Sequence, residues 1–314
     1  MTIQITKSGT LFQGSQKDIE NLKLEFDKNY YIKLSNFFEK SLLHFIQEKL
    51  KASAFYEDRY KVGNDDAVGF CLDDDKIIGL IYFLLNDEAL FKLIEQITGC
   101  LEIGCFTGRV YSKVPNLGQY DSWHDDLTDN RMVALSINLS LDTYSGGILQ
   151  IKDSKDGNII SEVTSTKPGE AIIFRIAPHL EHRVTKVEGK VTRTVLTGWF
   201  RANPNYKPVF KALLNNSSFV NGKLTKHSKV QREENLFTKY NNEQLTIYDL
   251  NTSLCYGLDS IGEKILSMLD KPKTIPELVN AIHNEYDVEQ DKCKTDIQAL
   301  LDELASHKLI TIGN

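Results

Sequence analysis

Val133-Ala134-Leu135-Ser136-Ile137-Asn138-Leu139-Ser140-Leu141 is the stretch from which the fold of this protein is read. From Leu135 on, apolar residues alternate with small polar ones, the period of a β-strand with unlike faces. On its N-terminal side, Cys105 to Val114 reads as a second strand. On its C-terminal side, Ser145-Gly146-Gly147 turns into Ile148-Leu149-Gln150-Ile151, and Asp153 to Asn158 carries the Asp-Gly signature of a hairpin. Pro168-Gly169-Glu170 then turns into Ala171-Ile172-Ile173-Phe174-Arg175, and Val191 to Arg201 forms a last strand. Many strands joined by short turns, with no helical period between them, predict an antiparallel sandwich or barrel over about residues 101 to 200.

Upstream the period changes. Residues 15–52 place apolar side chains at three-and-four spacing, interrupted by a short strand at Tyr31-Ile32-Lys33-Leu34. A further helix is predicted over 88–98, closed by Gly99. Downstream, residues 213–230 are polar without a sustained period and read as a linker. Beyond it, Leu236–Tyr240 and Leu245–Leu250 flank a turn and predict a hairpin, followed by helices over 258–269, 275–286 and 293–307. Thr274 with Glu277 is the N-terminal capping box of the second. The protein therefore divides into residues 1–212, a linker, and a small α+β module of winged-helix type over 231–314.

Composition narrows the function. A length of 314 residues with 41% hydrophobic and 25% charged residues is that of a soluble globular protein. A formal net charge of −6 argues against nucleic acid as the main partner. No apolar run reaches the roughly 20 residues of a membrane span, and the N-terminus shows no secretory signal. The five cysteines, Cys71, Cys100, Cys105, Cys255 and Cys293, form no CxxC pair. They read as reduced thiols of a cytoplasmic protein rather than metal ligands.

Chemistry concentrates in a few residues. His124 and Asp126 are two apart, a spacing that lets both side chains reach one ion from an extended segment. His182 follows 56 residues after Asp126, and Arg193 comes 11 residues later. Two imidazoles and a carboxylate suit iron(II) on one face and leave the opposite face open. A guanidinium beyond them is suited to anchoring an anionic co-substrate through paired hydrogen bonds. His179, three residues before His182, is the competing histidine, and Asp125 is expected to point away from the ion. Trp123, Arg109 and Arg131 are candidates for the substrate mouth or for plain packing and surface charge.

These stretches carry a resemblance. Gly108-Arg-Val-Tyr-Ser-Lys-Val-Pro-Asn116, Tyr120-Asp-Ser-Trp-His-Asp-Asp126, Gly146-Gly-Ile-Leu-Gln-Ile151, Pro168-Gly-Glu-Ala-Ile-Ile-Phe174 and the run from Glu181-His182-Arg183 to Trp199-Phe200 resemble the prolyl-hydroxylase-like branch of the iron(II)/2-oxoglutarate oxygenases. The resemblance spans roughly residues 20 to 205. It implies a mainly β fold, a double-stranded β-helix or jelly roll, with helices from the N-terminal part packed beside it. It implies Fe(II), with 2-oxoglutarate and O2 as co-substrates, and oxygen insertion into a C–H bond with release of succinate and CO2. By the same resemblance His124, Asp126 and His182 hold the iron and Arg193 binds 2-oxoglutarate. Tyr111 stands where the family often places a tyrosine on the same carboxylate, with Thr194 a further candidate. Many family members carry another tyrosine on the strand after the HxD pair. Here Ser136-Ile137-Asn138 stands in that place, and Asn138 is the candidate donor.

The C-terminal module resembles the PqqD-like peptide-recognition domain of ribosomal peptide-modifying systems. The residues that carry this are the hairpin at 236–250, Tyr256-Gly257-Leu258 followed by Ile261-Gly-Glu-Lys-Ile-Leu266, the Thr274-Ile-Pro-Glu-Leu278 helix start, and Leu300, Leu301, Leu304 and Leu309. It implies a precursor peptide as partner, held by its leader as an added strand on a sheet edge. The sequence thus predicts a dioxygenase that hydroxylates a residue of a precursor peptide at one of its side-group carbons. The rival readings are an oxygenase for a free small molecule or a protein residue, with the C-terminal module serving oligomerisation, and a catalytically silent binding protein.

Overall fold

The computed structural model describes residues 1–62, 65–115, 121–165, 167–206, 224–225, 227–234, 236–241, 244–286 and 288–313. The protein forms two compact units, Met1–Lys207 and Pro208–Asn314.

The first unit opens with a hairpin, β1 (Thr2–Thr6) and β2 (Gly9–Gln13), then α1 (Gln16–Asn29), β3 (Tyr31–Leu34) and α2 (Lys40–Ala52). A second hairpin, β4 (Ala54–Val62) and β5 (Asp65–Asp73), precedes α3 (Asp75–Leu85) and α4 (Glu88–Thr98). The strands β6 (Cys105–Lys113), β7 (Arg131–Asn138), β8 (Ser145–Gly146), β9 (Leu149–Asp153), β10 (Ile159–Val163), β11 (Ala171–Arg175), β12 (Leu180–Val184), β13 (Val187–Glu188) and β14 (Arg193–Arg201) complete it. Local chemistry sets the helix ends. Ser15 and Asp18 form a capping box at the start of α1, while Asp74 and Asp87 accept backbone N–H groups at the starts of α3 and α4. Gly99 closes α4 at φ 68°, a left-handed turn that costs glycine nothing.

Seven strands form one antiparallel sheet in the order β3-β11-β7-β14-β6-β5-β4, and β10-β9-β12 form a smaller one. Ala134, Ile172 and Phe174 of the large sheet share an apolar cluster with Leu149, Ile151, Val163 and Leu180 of the small one, so the two sheets pack face to face. The other face of the large sheet meets the helices, where the rings of Phe91 on α4 and Phe200 on β14 lie 6.1 Å apart. The predicted antiparallel sandwich is therefore present, and among the described residues no helix lies between β6 and β14. The β1–β2 and β4–β5 hairpins and α3 are elements that the sequence pattern does not predict.

The second unit contains β15 (Lys229–Arg232), β16 (Phe237–Asn241), β17 (Gln244–Asp249), β18 (Leu254–Leu258), α5 (Ser260–Met268), β19 (Lys273–Thr274), α6 (Ile275–Glu285), α7 (Gln290–Ser306) and β20 (Ile310–Gly313). Its strands pair as β16-β17-β18 and β19-β15-β20. Three helices follow the predicted hairpin, which gains β18 as a third strand, and the Thr274–Glu277 capping box is formed. Ile247, Tyr256, Leu278, Leu301 and Leu304 are buried at its centre. Most of the linker expected at 213–230 lies outside the described residues, and Lys229 and Val230 at its end belong to β15. Among the described residues no helix is long and apolar enough to cross a membrane.

Candidate metal centre

Strand pairing alone brings His124 and His182 together. They exchange both backbone hydrogen bonds, His124 N–H to His182 O at 3.1 Å and the reverse at 2.8 Å. Residues so paired project their side chains to the same side, and the rings lie 4.2 Å apart. Phe174 of β11 backs His182 edge-on at 4.8 Å. Asp126 completes the group by a backbone device: its φ is 60°, a left-handed conformation that Asp tolerates better than most residues. One ligand atom from each of His124, Asp126 and His182 lies within 4.8 Å of the others.

The protonation states suit a cation. His124 Nδ1 lies 2.8 Å from the Ser122 carbonyl, an acceptor that requires the proton on Nδ1 and leaves Nε2 as the lone-pair donor. Burial pushes the His182 imidazole below its ordinary value, against the pull of Asp126, which favours the neutral ligand form. Burial opposes ionisation of Asp126, but His182, His124 and the Trp199 N–H outweigh it and hold its carboxyl at about 2. Asp126 Oδ2 sits 3.3 Å from His182 Nε2 and 3.9 Å from His124 Nε2. A divalent ion would replace contacts that otherwise set two imidazoles against one carboxylate.

Beside this group lies a buried cation. Arg193 is 5% exposed, and among the described residues no carboxylate lies within ion-pair distance of its guanidinium. Its Nε donates to the Tyr144 hydroxyl at 3.1 Å, and its Nη2 lies 3.5 Å from Ser136 Oγ. Asp121 attracts it only from beyond ion-pair distance and is already paired with Lys113, so such a buried arginine is suited to receive an anion. Gly147 makes the room: a Cβ there would stand 2.9 Å from Arg193 Cδ and 3.1 Å from Tyr144, and its φ of 61° already disfavours a side chain. Directly across the β6–β14 ladder from Arg193 stands Lys113, whose Nζ pairs with Asp121 at 2.7 Å. Burial pulls the Lys113 ammonium below its usual range, against the opposing effect of Asp121.

The remaining sequence candidates separate. Tyr111 shares the site face with Arg193, but the charged group that acts on it most is Arg109, and burial pushes its phenol up to about 12. The phenol bonded to Arg193 is Tyr144, which sequence reasoning does not single out; its position three residues before Gly147 is the available signal. Asn138 is committed to the framework: its Nδ2 donates to Ser165 O at 2.7 Å and its Oδ1 accepts from Ser140 N at 2.8 Å. Thr194 lies on the opposite face of β14 from Arg193, bonded through its backbone to Ser140, because adjacent strand residues alternate. His179 packs its ring against Tyr30, away from the triad. Asp125 accepts from Leu127 N–H at 3.0 Å. Trp123 lies between Lys152 Nζ (4.6 Å) and Arg183 Cζ (4.5 Å), which share the face of the small sheet opposite His182. Arg109 pairs with Asp58 at 3.0 Å, and Arg131 contacts Asp126 at 2.8 Å.

Residues 109–201 match the 2OG-Fe(II) oxygenase superfamily, and residues 244–310 match coenzyme PQQ synthesis protein D (PqqD). No curated protein sequence matches the protein. A 2OG-Fe(II) oxygenase-family oxidoreductase from Burkholderia pseudomallei is similar at 14% identity and TM-score 0.47, covering 65% of this protein and 98% of its own length. A Pseudomonas putida prolyl-4-hydroxylase is similar at 17% identity and TM-score 0.41, covering 59% of this protein and all (100%) of its own length. A Trichoplax adhaerens prolyl hydroxylase, solved with a hypoxia inducible factor peptide fragment, stands at 12% identity and TM-score 0.45, covering 60% of this protein and 94% of its own length.

Proposed function

We propose, for a protein that carries a 2OG-Fe(II) oxygenase domain followed by a PqqD domain, that it hydroxylates a C–H bond on a side chain of a ribosomally made precursor peptide. The domain uses Fe(II), 2-oxoglutarate and O2. When bound, the iron would activate O2 at the expense of 2-oxoglutarate, with one oxygen atom leaving in succinate beside CO2 and the other going to the C–H bond. The protein's own residues do the rest. His124 through Nε2, Asp126 through Oδ2 and His182 would hold the metal. Arg193, with Tyr144 beside it and Gly147 leaving space, receives the far carboxylate of 2-oxoglutarate, where a planar guanidinium can make two parallel bonds. Tyr111, still protonated at neutral pH, is a donor on the same face. We assign no co-substrate role to Asn138 or Thr194, for the geometric reasons given above. The two-sheet sandwich with its helical backing is taken as a double-stranded β-helix, and the second unit as a winged-helix-like module. We assign residues 1–212 to oxidation, 213–230 to a linker and 231–314 to peptide recognition.

The observation that carries the peptide reading is the presence of both matches on one polypeptide. PqqD domains bind peptides, and a three-stranded sheet such as β16-β17-β18 can take a leader as an added strand. Tethering the leader raises the local concentration of the rest of the peptide to about the millimolar range, so the oxidation site needs little affinity of its own. The reading is tested with the full-length protein, Fe(II), 2-oxoglutarate and the candidate precursor, followed by mass spectrometry. The expected result is a gain of one oxygen atom that requires the leader and stops with His182→Ala. Equal oxidation of a leaderless peptide would favour the rival in which the second unit serves oligomerisation. Succinate release by His182→Ala at the wild-type rate would remove the metal assignment.

A further inference from the structure

Arg131 and Trp199 surround the carboxylate of Asp126 in a way that metal binding by itself does not require. Arg131 Nη1 donates to Asp126 Oδ1 at 2.8 Å. Trp199 Nε1 donates to Asp126 Oδ2, also at 2.8 Å. The two donors are themselves joined, since the guanidinium carbon of Arg131 lies 3.6 Å from the centre of the Trp199 ring. A guanidinium can stack by its face and still donate from its edge, which an ammonium cannot do. The group is shielded, with side-chain exposure of 20% for Arg131 and 12% for Asp126.

The two oxygens are therefore unequal. Oδ2 faces both imidazoles, at 3.3 and 3.9 Å. Oδ1 is held by a charge-assisted hydrogen bond to Arg131 and would have to give it up to approach the same ion. This matters because a carboxylate can bind a metal through one oxygen or two. On a six-coordinate ion, two imidazoles and a single carboxylate oxygen leave three positions open, as this class of site requires. A chelating Asp126 would leave only two, so a 2-oxo acid anchored at Arg193 would have to displace Oδ1 to take its positions and still leave one for O2.

We propose that Arg131, stacked on Trp199, is a positioning residue that restricts Asp126 to one-oxygen binding and so keeps a coordination position available. The inference rests on the metal-site reading above and assigns a role to residues that the reading does not use. It predicts that loss of Arg131 will separate metal affinity from co-substrate affinity. A merely structural role would lower both together.

The test uses the full-length, metal-free protein and Co(II), whose visible absorption reports coordination without turnover. Wild type, Arg131→Met and Arg131→Lys are titrated with Co(II), and the loaded proteins are then titrated with 2-oxoglutarate. Arg131→Met should bind Co(II) at least as tightly as wild type, with a changed absorption spectrum. Its Kd for 2-oxoglutarate should rise about 10-fold, the lower end for groups that orient metal ligands. Arg131→Lys, which keeps a donor but cannot stack flat, should recover part of that loss. Parallel loss of both affinities, or no change in either, overturns the proposal. If Arg131→Met fails to fold, Trp199→Phe keeps a ring beneath the guanidinium and removes only the N–H to Oδ2. It should weaken Co(II) binding about 10-fold while leaving 2-oxoglutarate affinity at saturating Co(II) unchanged, and a fall in that affinity counts against the proposal. Wild-type protein that binds Co(II) no better than His182→Ala would instead bring down the metal-site reading, and this inference with it.

Discussion

The two faces of the seven-stranded sheet are built to different ends. On the helix side, β14 presents Leu196 and Phe200, β7 presents Val133, Leu135 and Ile137, and β6 presents Phe106 and Val110, all almost fully buried and all apolar. On the other side, the same strands present Arg193, Ser136, Asn138 and Lys113, equally buried but polar or charged, with Trp199 reaching Asp126. One face is what a sheet needs to stay folded. The other carries desolvation costs that folding alone would not select for. The difference teaches where to look for chemistry, and it can be probed residue by residue along β14, because neighbours in one strand report on opposite faces.

The largest expected effect belongs to the apolar face. Phe200 is fully buried, with its ring 5.3 Å from Phe106 and 6.1 Å from Phe91. Phe200→Ala should cost about 3–5 kcal/mol of stability, the usual range for a core phenylalanine. Urea unfolding should show that loss, while the protein that remains folded binds 2-oxoglutarate with unchanged affinity. A comparable loss of affinity would mean that the two faces are not independent.

Arg193→Lys reverses the pattern. The charge is kept, but the paired geometry of the guanidinium is lost. Hydrogen bonds to charged groups contribute about 1.5–3 kcal/mol, so the Kd for 2-oxoglutarate should rise roughly 10- to 100-fold with little change in unfolding midpoint. Calorimetric titration of the metal-loaded protein measures it, and an unchanged Kd would place the co-substrate elsewhere.

Acid should act through the polar face. The Asp126 carboxyl stands at about 2 in the folded protein, against about 3.9 when unfolded. Its contribution is present above the unfolded value and is lost as pH falls towards 2, an amount of roughly 2 kcal/mol. His182 adds to the same trend: its folded value is lowered, so the unfolded protein binds the proton more readily and stability falls once pH drops below about 6.5. Comparing metal-free wild type with Asp126→Asn at pH 7 and pH 2.5 tests the Asp126 part together with its pull on His182. The stability gap between the two should shrink in acid. A gap that stays constant would show that the carboxyl is not held low.

The sequence is most legible where one physical rule dominates. Alternation from Leu135 to Leu141 marks β7, and the capping box and closing glycine mark α6 and α4. The triad is readable only as a set: an HxD pair is common, and it is the later His182 and Arg193 in order, within stretches that resemble one family, that single it out. The β4 strand is not, because Glu57, Asp58 and Arg59 interrupt any apolar alternation at the edge of the sheet. Helix α3 is not, because Ile77, Leu80, Ile81, Phe83, Leu84 and Leu85 are all buried, and a helix apolar on every side has no period to read. Asn138 and Thr194 mislead for another reason. Residue type near a site can be read from the sequence, whereas the site depends on which way each strand position points. That direction, and what already occupies it, is set by register with β6 and β7.

Thr194 turns that last point into the smallest and sharpest test. It is adjacent to Arg193, half-buried, and joined to Ser140 by backbone bonds that a change of side group leaves intact. Thr194→Ala should shift stability by no more than about 0.5 kcal/mol, as for substitutions that touch no special feature. The Kd for 2-oxoglutarate should stay within about twofold of wild type, since strand alternation turns the threonine to the helix side. The contrast with Arg193→Lys is then between two consecutive residues, so separation in sequence cannot account for it. If Thr194→Ala weakened co-substrate binding as much as Arg193→Lys, the division of labour between the two faces would fail at the point where it is drawn most finely.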